Sequence, residues 1–164
     1  MNVERILKQL HEYRVKYILI GGMAAVAQGS SYLTADIDLC YGRGEENLER
    51  LAQALAPLRP KLRGAPPDLP FSLDAQTLRS GLNFTLSTEA GDIDLFGELA
   101  GLGGYEEALQ FAEELDIFGI PCQVLTLEGL IINKKAAGRA KDFRLIPELE
   151  ALLEIRKSQQ EKHP

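Results

Sequence analysis

The sequence predicts an α/β (α+β) fold: a mixed β-sheet flanked by helices, with a helical C-terminus. Two observations predict it. Short apolar runs closed by glycine, the signal of buried strands, alternate with segments whose apolar residues recur at helical spacing. Near the middle, residues 82–87 and 92–96 flank Glu89-Ala90-Gly91 in the manner of a hairpin. A hairpin set among intermixed strands and helices gives a mixed sheet.

Taken in order, Val3, Ile6, Leu7 and Leu10 mark a first amphipathic helix ending near Tyr13. Tyr17–Ile20 reads as a short buried strand, closed by the turn-forming pair Gly21 and Gly22. A small-residue helix over Met23–Gln28 follows, and the loop Gly29-Ser30-Ser31 leads to a second strand over Asp36–Tyr41. Gly42 and Gly44 end that strand. Helical period resumes over Glu45–Leu58, and Glu45 and Glu46 complement the dipole of its first turn. Leu58 to Pro70 carries four of the eight prolines and is expected to be an irregular loop. After the hairpin, Tyr105, Ala108, Leu109 and Ala112 mark a helix, and Ile117–Val124 a strand interrupted at Gly119-Ile120-Pro121. Thr126 is the expected N-cap of a helix through Ala137, with Glu128 in its first turn and Gly138 at its end. Pro147 is expected to start the last helix, with Leu149, Leu152 and Leu153 facing inward, so the C-terminal helical part covers about 126–157.

At 164 residues the chain is expected to form a single domain over 1–164. Its apolar share of 45% and charged share of 26% argue against disorder. No run approaches eighteen apolar residues and the N-terminus lacks an apolar signal core, so no membrane association and a cytoplasmic location are expected. Cys40 and Cys122 stand alone, which suggests neither a disulfide framework nor a zinc site. Cys40 lies on the strand face of Asp38, but a small apolar filler is the simpler reading. His11 has no neighbouring ligand and reads as a surface or capping residue. The net charge of −6 argues against broad nucleic-acid binding. One local exception is a basic cluster, in which Lys134, Lys135, Arg139, Lys141 and Arg144 face a single acid, Asp142.

The chemistry centres on residues 17–39. Gly21 and Gly22 lack β-carbons where a ligand would approach the backbone. Strand side chains alternate, so Asp36 and Asp38 share one face with Ile37 and Leu39 opposite. Adjacent carboxylates repel and are costly near a core unless a cation lies between them, and hard oxygen ligands suit Mg²⁺ or Mn²⁺. Asp92 and Asp94 repeat the pattern on a later strand.

A strand ending in Gly-Gly, thirteen intervening residues and then Asp36-Ile37-Asp38 resembles the signature of the DNA polymerase β-type nucleotidyltransferase superfamily. More narrowly it resembles the small stand-alone prokaryotic members, some of them toxin–antitoxin components. Gly91-Asp92-Ile93-Asp94-Leu95-Phe96-Gly97 supplies the family's third carboxylate, and residues 125–142 resemble the closing helix with its basic cluster. The resemblance implies the nucleotidyltransferase fold and the metal-dependent transfer of NMP from an NTP, such as ATP, to an acceptor hydroxyl. Asp36, Asp38 and Asp94 would be the catalytic metal ligands, with Asp94 preferred because an apolar pair follows it and Asp92 kept as its substitute. Gly21, Gly22, Thr34, Lys134, Arg139 and Lys141 would hold nucleotide or acceptor. That acceptor is left open among a small molecule, a protein side chain and a tRNA end, with a homodimer or partner chain supplying further surface.

Each piece also has a plain structural reading: a Gly-Gly turn, a solvated Asp-x-Asp edge, a solvated basic face. Moreover, Tyr32 stands where related proteins often carry Arg, and Gly22 where the broader superfamily often has Ser. A non-catalytic interaction module that kept the fold is therefore the rival reading.

Overall fold

The computed structural model describes residues 1–162. The elements are α1 (Val3–Glu12), β1 (Tyr17–Ile20), α2 (Gly21–Ala27), β2 (Asp36–Tyr41), α3 (Glu45–Leu55), β3 (Lys61–Leu62), α4 (Ala75–Ser80), β4 (Asn83–Thr88) and β5 (Gly91–Phe96). They continue with β6 (Glu98–Leu99), β7 (Gly103–Gly104), α5 (Tyr105–Ala108), β8 (Ala112–Ile117), β9 (Ile120–Leu125), α6 (Leu127–Ala137) and α7 (Ala140–Lys162). Seven strands make one mixed sheet in the order β3-β4-β5-β2-β1-β9-β8, and β6 pairs with β7 apart from it.

The central strands β1 and β2 run antiparallel, while β2 lies parallel to β5 with Asp36 opposite Asp92 and Asp38 opposite Asp94. Alternation then puts Ile37, Leu39, Ile93 and Leu95 on the other face, where all four are fully buried. They belong to one core cluster with Ile6, Leu7 and Leu10 of α1 and Leu48, Leu51 and Leu55 of α3. α1 packs against α3, whereas α2 packs against α6 and α6 against α7. The apolar face of the central strands thus holds the acids in place from behind.

Several local expectations are corrected. Gly21 and Gly22 are not a free turn but the first residues of α2, which begins directly at the end of β1. The proline-rich stretch contains β3, paired with β4 through Lys61–Ser87 and Leu62–Leu86, and α4 follows it, capped by the Asp74 side chain. The helix at Tyr105 ends at Ala108 and passes through a 3₁₀ turn, Leu109–Phe111, so Ala112 is already in β8. The expected interrupted strand is really half of a hairpin. β8 and β9 pair through Ile117–Ile120, with Phe118 (φ 54°) and Gly119 (φ 78°) making the two-residue turn. β8 escapes recognition because Glu113, Glu114 and Asp116 dilute its apolar pattern. As an edge strand it carries such charge without burying it.

Thr126 caps α6 by accepting the Gly129 N–H at 3.1 Å, and the helix closes at Gly138, whose N–H donates to the Lys134 carbonyl. α7 starts at Ala140 rather than at Pro147, which lies within it. Asp142 supplies the N-terminal support by accepting the Arg139 N–H at 3.3 Å. Proline costs the helix one hydrogen bond, and the residue whose carbonyl would have accepted it, Phe143, is half exposed to water. No helix among the described residues is long and apolar enough to cross a membrane.

Candidate active site

The parallel register of β2 and β5 sets Asp38 beside Asp94, and alternation along β2 sets Asp36 on the same face. One carboxylate oxygen from each of Asp36, Asp38 and Asp94 lies within 4.8 Å of the other two. They open into a cavity of about 330 Å³, whose lining includes Gly21, Gly22, Tyr32, Thr34, Lys134, Arg139 and Lys141. Residues from both ends of the chain thus meet over one sheet face.

Asp38 is the most strained of the three. Burial, then the charges of Asp36 and Asp94, push its carboxyl up to about 7, against the pull of Lys134 and Lys141. Its Oδ1 is buried without a hydrogen-bond partner among the described residues. Asp94 is raised too, by burial first, while Arg63 draws it down and Asp36 raises it. An orphaned buried carboxylate oxygen, two neighbouring carboxylates and hard oxygen donors fit a divalent cation such as Mg²⁺ or Mn²⁺.

Gly21 is obligatory at this point. Its φ of +61° disfavours any side chain, and a β-carbon there would stand 2.2 Å from Asp38 Oδ2. At Gly22 a β-carbon would fall 2.8 Å from both the Tyr32 ring and Thr34 Cβ. Thr34 Oγ1 donates to the Asp36 carbonyl at 2.8 Å, which ties the loop before β2 to the first acid. That loop is also pinned to α7, since Glu148 accepts from the Ser31 N–H at 2.9 Å and from Ser30 Oγ at 3.1 Å.

The basic cluster divides. Lys134, Arg139 and Lys141 line the cavity, whereas Lys135 pairs with Glu150 at 2.9 Å on the surface. Asp142, only 1% exposed, accepts from Arg139 Nε at 2.7 Å and from Lys134 Nζ at 3.3 Å. Burial opposes its charge, but Arg139 and Lys134 together hold the carboxyl below its usual range. Lys141 makes no ion pair among the described residues. Cys40 lies away from the cavity lining, fully buried, with burial pushing its thiol up to about 12. It is an inert filler.

Asp92 and Asp94 part company in space. Asp94 joins the cluster; Asp92 lies outside the cavity lining, 3.2 Å from Arg63 Nε. Two residues that brace the site are not among those the sequence predicts for it, though Asp142 stands out there as the lone acid of the basic cluster. Asp142 had a further readable signal, its i,i+3 spacing from Arg139. Arg63 had none, because only the pairing of β3 with β4 brings it to Asp94, at 2.8 Å.

No protein-family model matches the chain, and no curated protein matches it. Solved structures do. The lincosamide antibiotic adenylyltransferase LnuA, solved with lincomycin bound, is 16% identical and superposes with a TM-score of 0.60 over 92% of this chain and 96% of its own. The antibiotic-resistance factor ANT(2'')-Ia gives 18% identity and a TM-score of 0.56 over 98% of this chain and 94% of its own. It has also been solved in complex with adenylyl-2''-tobramycin. An antigenic nucleotidyltransferase-like protein from Paracoccidioides brasiliensis matches at 18% identity and a TM-score of 0.50, over 90% of this chain and 72% of its own.

Proposed function

We propose that this chain, which has the nucleotidyltransferase fold, is a metal-dependent nucleotidyltransferase. It transfers NMP from an NTP, with ATP the favoured donor, to the hydroxyl of a small molecule. The observation that carries the reading is the convergence of Asp36, Asp38 and Asp94 in a cavity lined by Lys134, Arg139 and Lys141. ATP and a small acceptor are favoured because two of the similar structures are an adenylyltransferase with its antibiotic and a complex with an adenylylated one. The cavity volume of about 330 Å³ suits part of such a ligand pair. The same reading takes residues 1–164 as one domain.

Asp36, Asp38 and Asp94 would hold Mg²⁺ or Mn²⁺. Bound there, such ions neutralise charge on phosphoryl oxygens and make a hydroxyl more acidic. Gly21 and Gly22 let Asp38, Tyr32 and Thr34 pack directly against the backbone at the edge of the cavity that would take the triphosphate. Lys134, Arg139 and Lys141 bind its negative oxygens and offset charge as it develops. The acceptor oxygen forms a bond to the α-phosphorus, the bond from that phosphorus to the bridging oxygen breaks, and pyrophosphate leaves. Asp94, raised by burial in spite of Arg63, takes the hydroxyl proton. Tyr32 contributes no charge, and the cations that hold the triphosphate come instead from α6, the turn after it and α7.

Thermal unfolding tests the reading. ATP and Mg²⁺ together, at about a hundred times their dissociation constant, will raise the melting temperature by about 5–10 °C. Either alone will do far less, and Asp38→Asn will lose the joint effect. A melting temperature indifferent to every NTP with Mg²⁺ or Mn²⁺ would favour the non-catalytic interaction module.

A further inference from the structure

Arg63 sits on the side of Asp94 away from the cavity, and its placement is fixed by the backbone. Its N–H donates to the Thr85 carbonyl at 3.0 Å and its Nη2 to the Leu86 carbonyl at 2.7 Å, both on β4. From that anchorage the guanidinium reaches Asp94 Oδ1 at 2.8 Å and Asp92 Oδ2 at 3.2 Å. Arg63 Nε and Asp94 Oδ1 are both buried, and neither has a well-aligned hydrogen bond among the described residues. The contact is therefore electrostatic, close but poorly directed. A fixed positive charge on a ligand carboxylate repels any second cation that shares it, and partial burial strengthens the repulsion.

We propose that Arg63 is a positioning residue: its guanidinium is a resident counter-ion on Asp94 that keeps the three-carboxylate cluster weak for divalent ions until a nucleotide brings its own negative charge. This rests on the metal-dependent reading above. Arg63 thereby sets how weakly the cluster holds an ion before nucleotide adds its charge, and Asp92 shares the guanidinium so that Asp94 is not neutralised outright.

The test is Mn²⁺ titration of the full chain, following the paramagnetic resonance signal of free Mn²⁺, with and without a non-hydrolysable ATP analogue. Without the analogue, Arg63→Gln will bind Mn²⁺ at least about tenfold more tightly than the unaltered protein. Arg63→Lys, which keeps the charge, will restore weak binding. Affinity in a folded Arg63→Gln equal to or below that of the unaltered protein overturns the inference. Should that variant not fold, Arg63→Met, which keeps the side-chain length and removes the charge, takes its place, with the same tightening expected and unchanged affinity overturning the inference. Mn²⁺ binding by the unaltered protein that ignores the analogue overturns this inference alone. No Mn²⁺ binding by it under either condition overturns the metal-dependent reading, and the inference with it.

Discussion

Asp38→Asn will abolish nucleotidyl transfer, by at least about a thousandfold, while making the metal-free protein more stable above neutral pH. The two effects share one cause. Burial, together with the charges of Asp36 and Asp94, raises the Asp38 carboxyl from an ordinary 3.8 to about 7. Between about pH 4 and pH 7 the folded chain therefore holds a proton that the unfolded chain has released. Stability rises with pH only where the unfolded state binds more protons, and here the folded state does, so stability falls as pH rises through that window. The penalty is complete above about pH 7. Asparagine removes it, so at pH 8 in a chelator the variant gains about 2 kcal/mol, a figure kept below the full shift because Asp38 retains some solvent contact. That corresponds to about 4–8 °C in melting temperature for a chain of this size. At pH 4 the gain disappears. Melting curves at pH 4, 6 and 8 check the sign, and equal melting temperatures at pH 8 would show that Asp38 is not strained. Such a trade of stability for activity is what a charged site held ready for a cation entails.

Gly21→Ala will both destabilise the fold and disable the site. Gly21 lies at φ +61°, where an L-residue is disfavoured by roughly 1–2 kcal/mol. Its new methyl would stand 2.2 Å from Asp38 Oδ2, and that carboxylate would have to leave its place in the cluster. The expected loss is about 2–4 kcal/mol of stability and at least about a hundredfold of transfer rate. Gly44→Ala is the matched control, since a β-carbon there meets nothing within 4 Å and its φ is −62°. It should cost less than about 1 kcal/mol and leave transfer intact. Denaturant unfolding of the two variants separates backbone strain with collision from a general sensitivity to losing glycine.

How much of this was legible beforehand depended on whether a feature is local. The strands Tyr17–Ile20 and Asp36–Tyr41 were read with the bounds the structure gives, because an apolar run ending in Gly21 and an alternation ending at Gly42 are written in neighbouring residues. The Thr126 cap and the Gly138 stop were legible for the same reason. β8 was not, since Glu113, Glu114 and Asp116 belong on a sheet edge whose existence only topology reveals. Pro147 misled because proline favours first turns, yet α7 already had its N-terminal support in Asp142. At the site, the spacing of the acids was readable, whereas Asp92 and Asp94 share a strand face and were told apart only by the family resemblance; in space Asp94 lies with Asp36 and Asp38, and Asp92 lies outside the cavity lining. The clamp of Arg63 on Asp94 was beyond reach. It depends on the register of a two-residue strand inside a proline-rich stretch that carries no periodic signal.

Transferase activity is measured by transfer itself. The protein is incubated with α-labelled ATP, then with the other labelled NTPs, in Mg²⁺ or Mn²⁺ with a cell extract or a panel of hydroxyl-bearing small molecules, beside Asp36→Ala/Asp38→Ala. Label on a small molecule and release of pyrophosphate, by the unaltered protein alone, are expected. Label on RNA or on protein would keep the chemistry and replace the acceptor. No label with any NTP, together with no metal-dependent NTP binding by calorimetry, would rule out transferase activity and leave a nucleotidyltransferase fold that works through a partner.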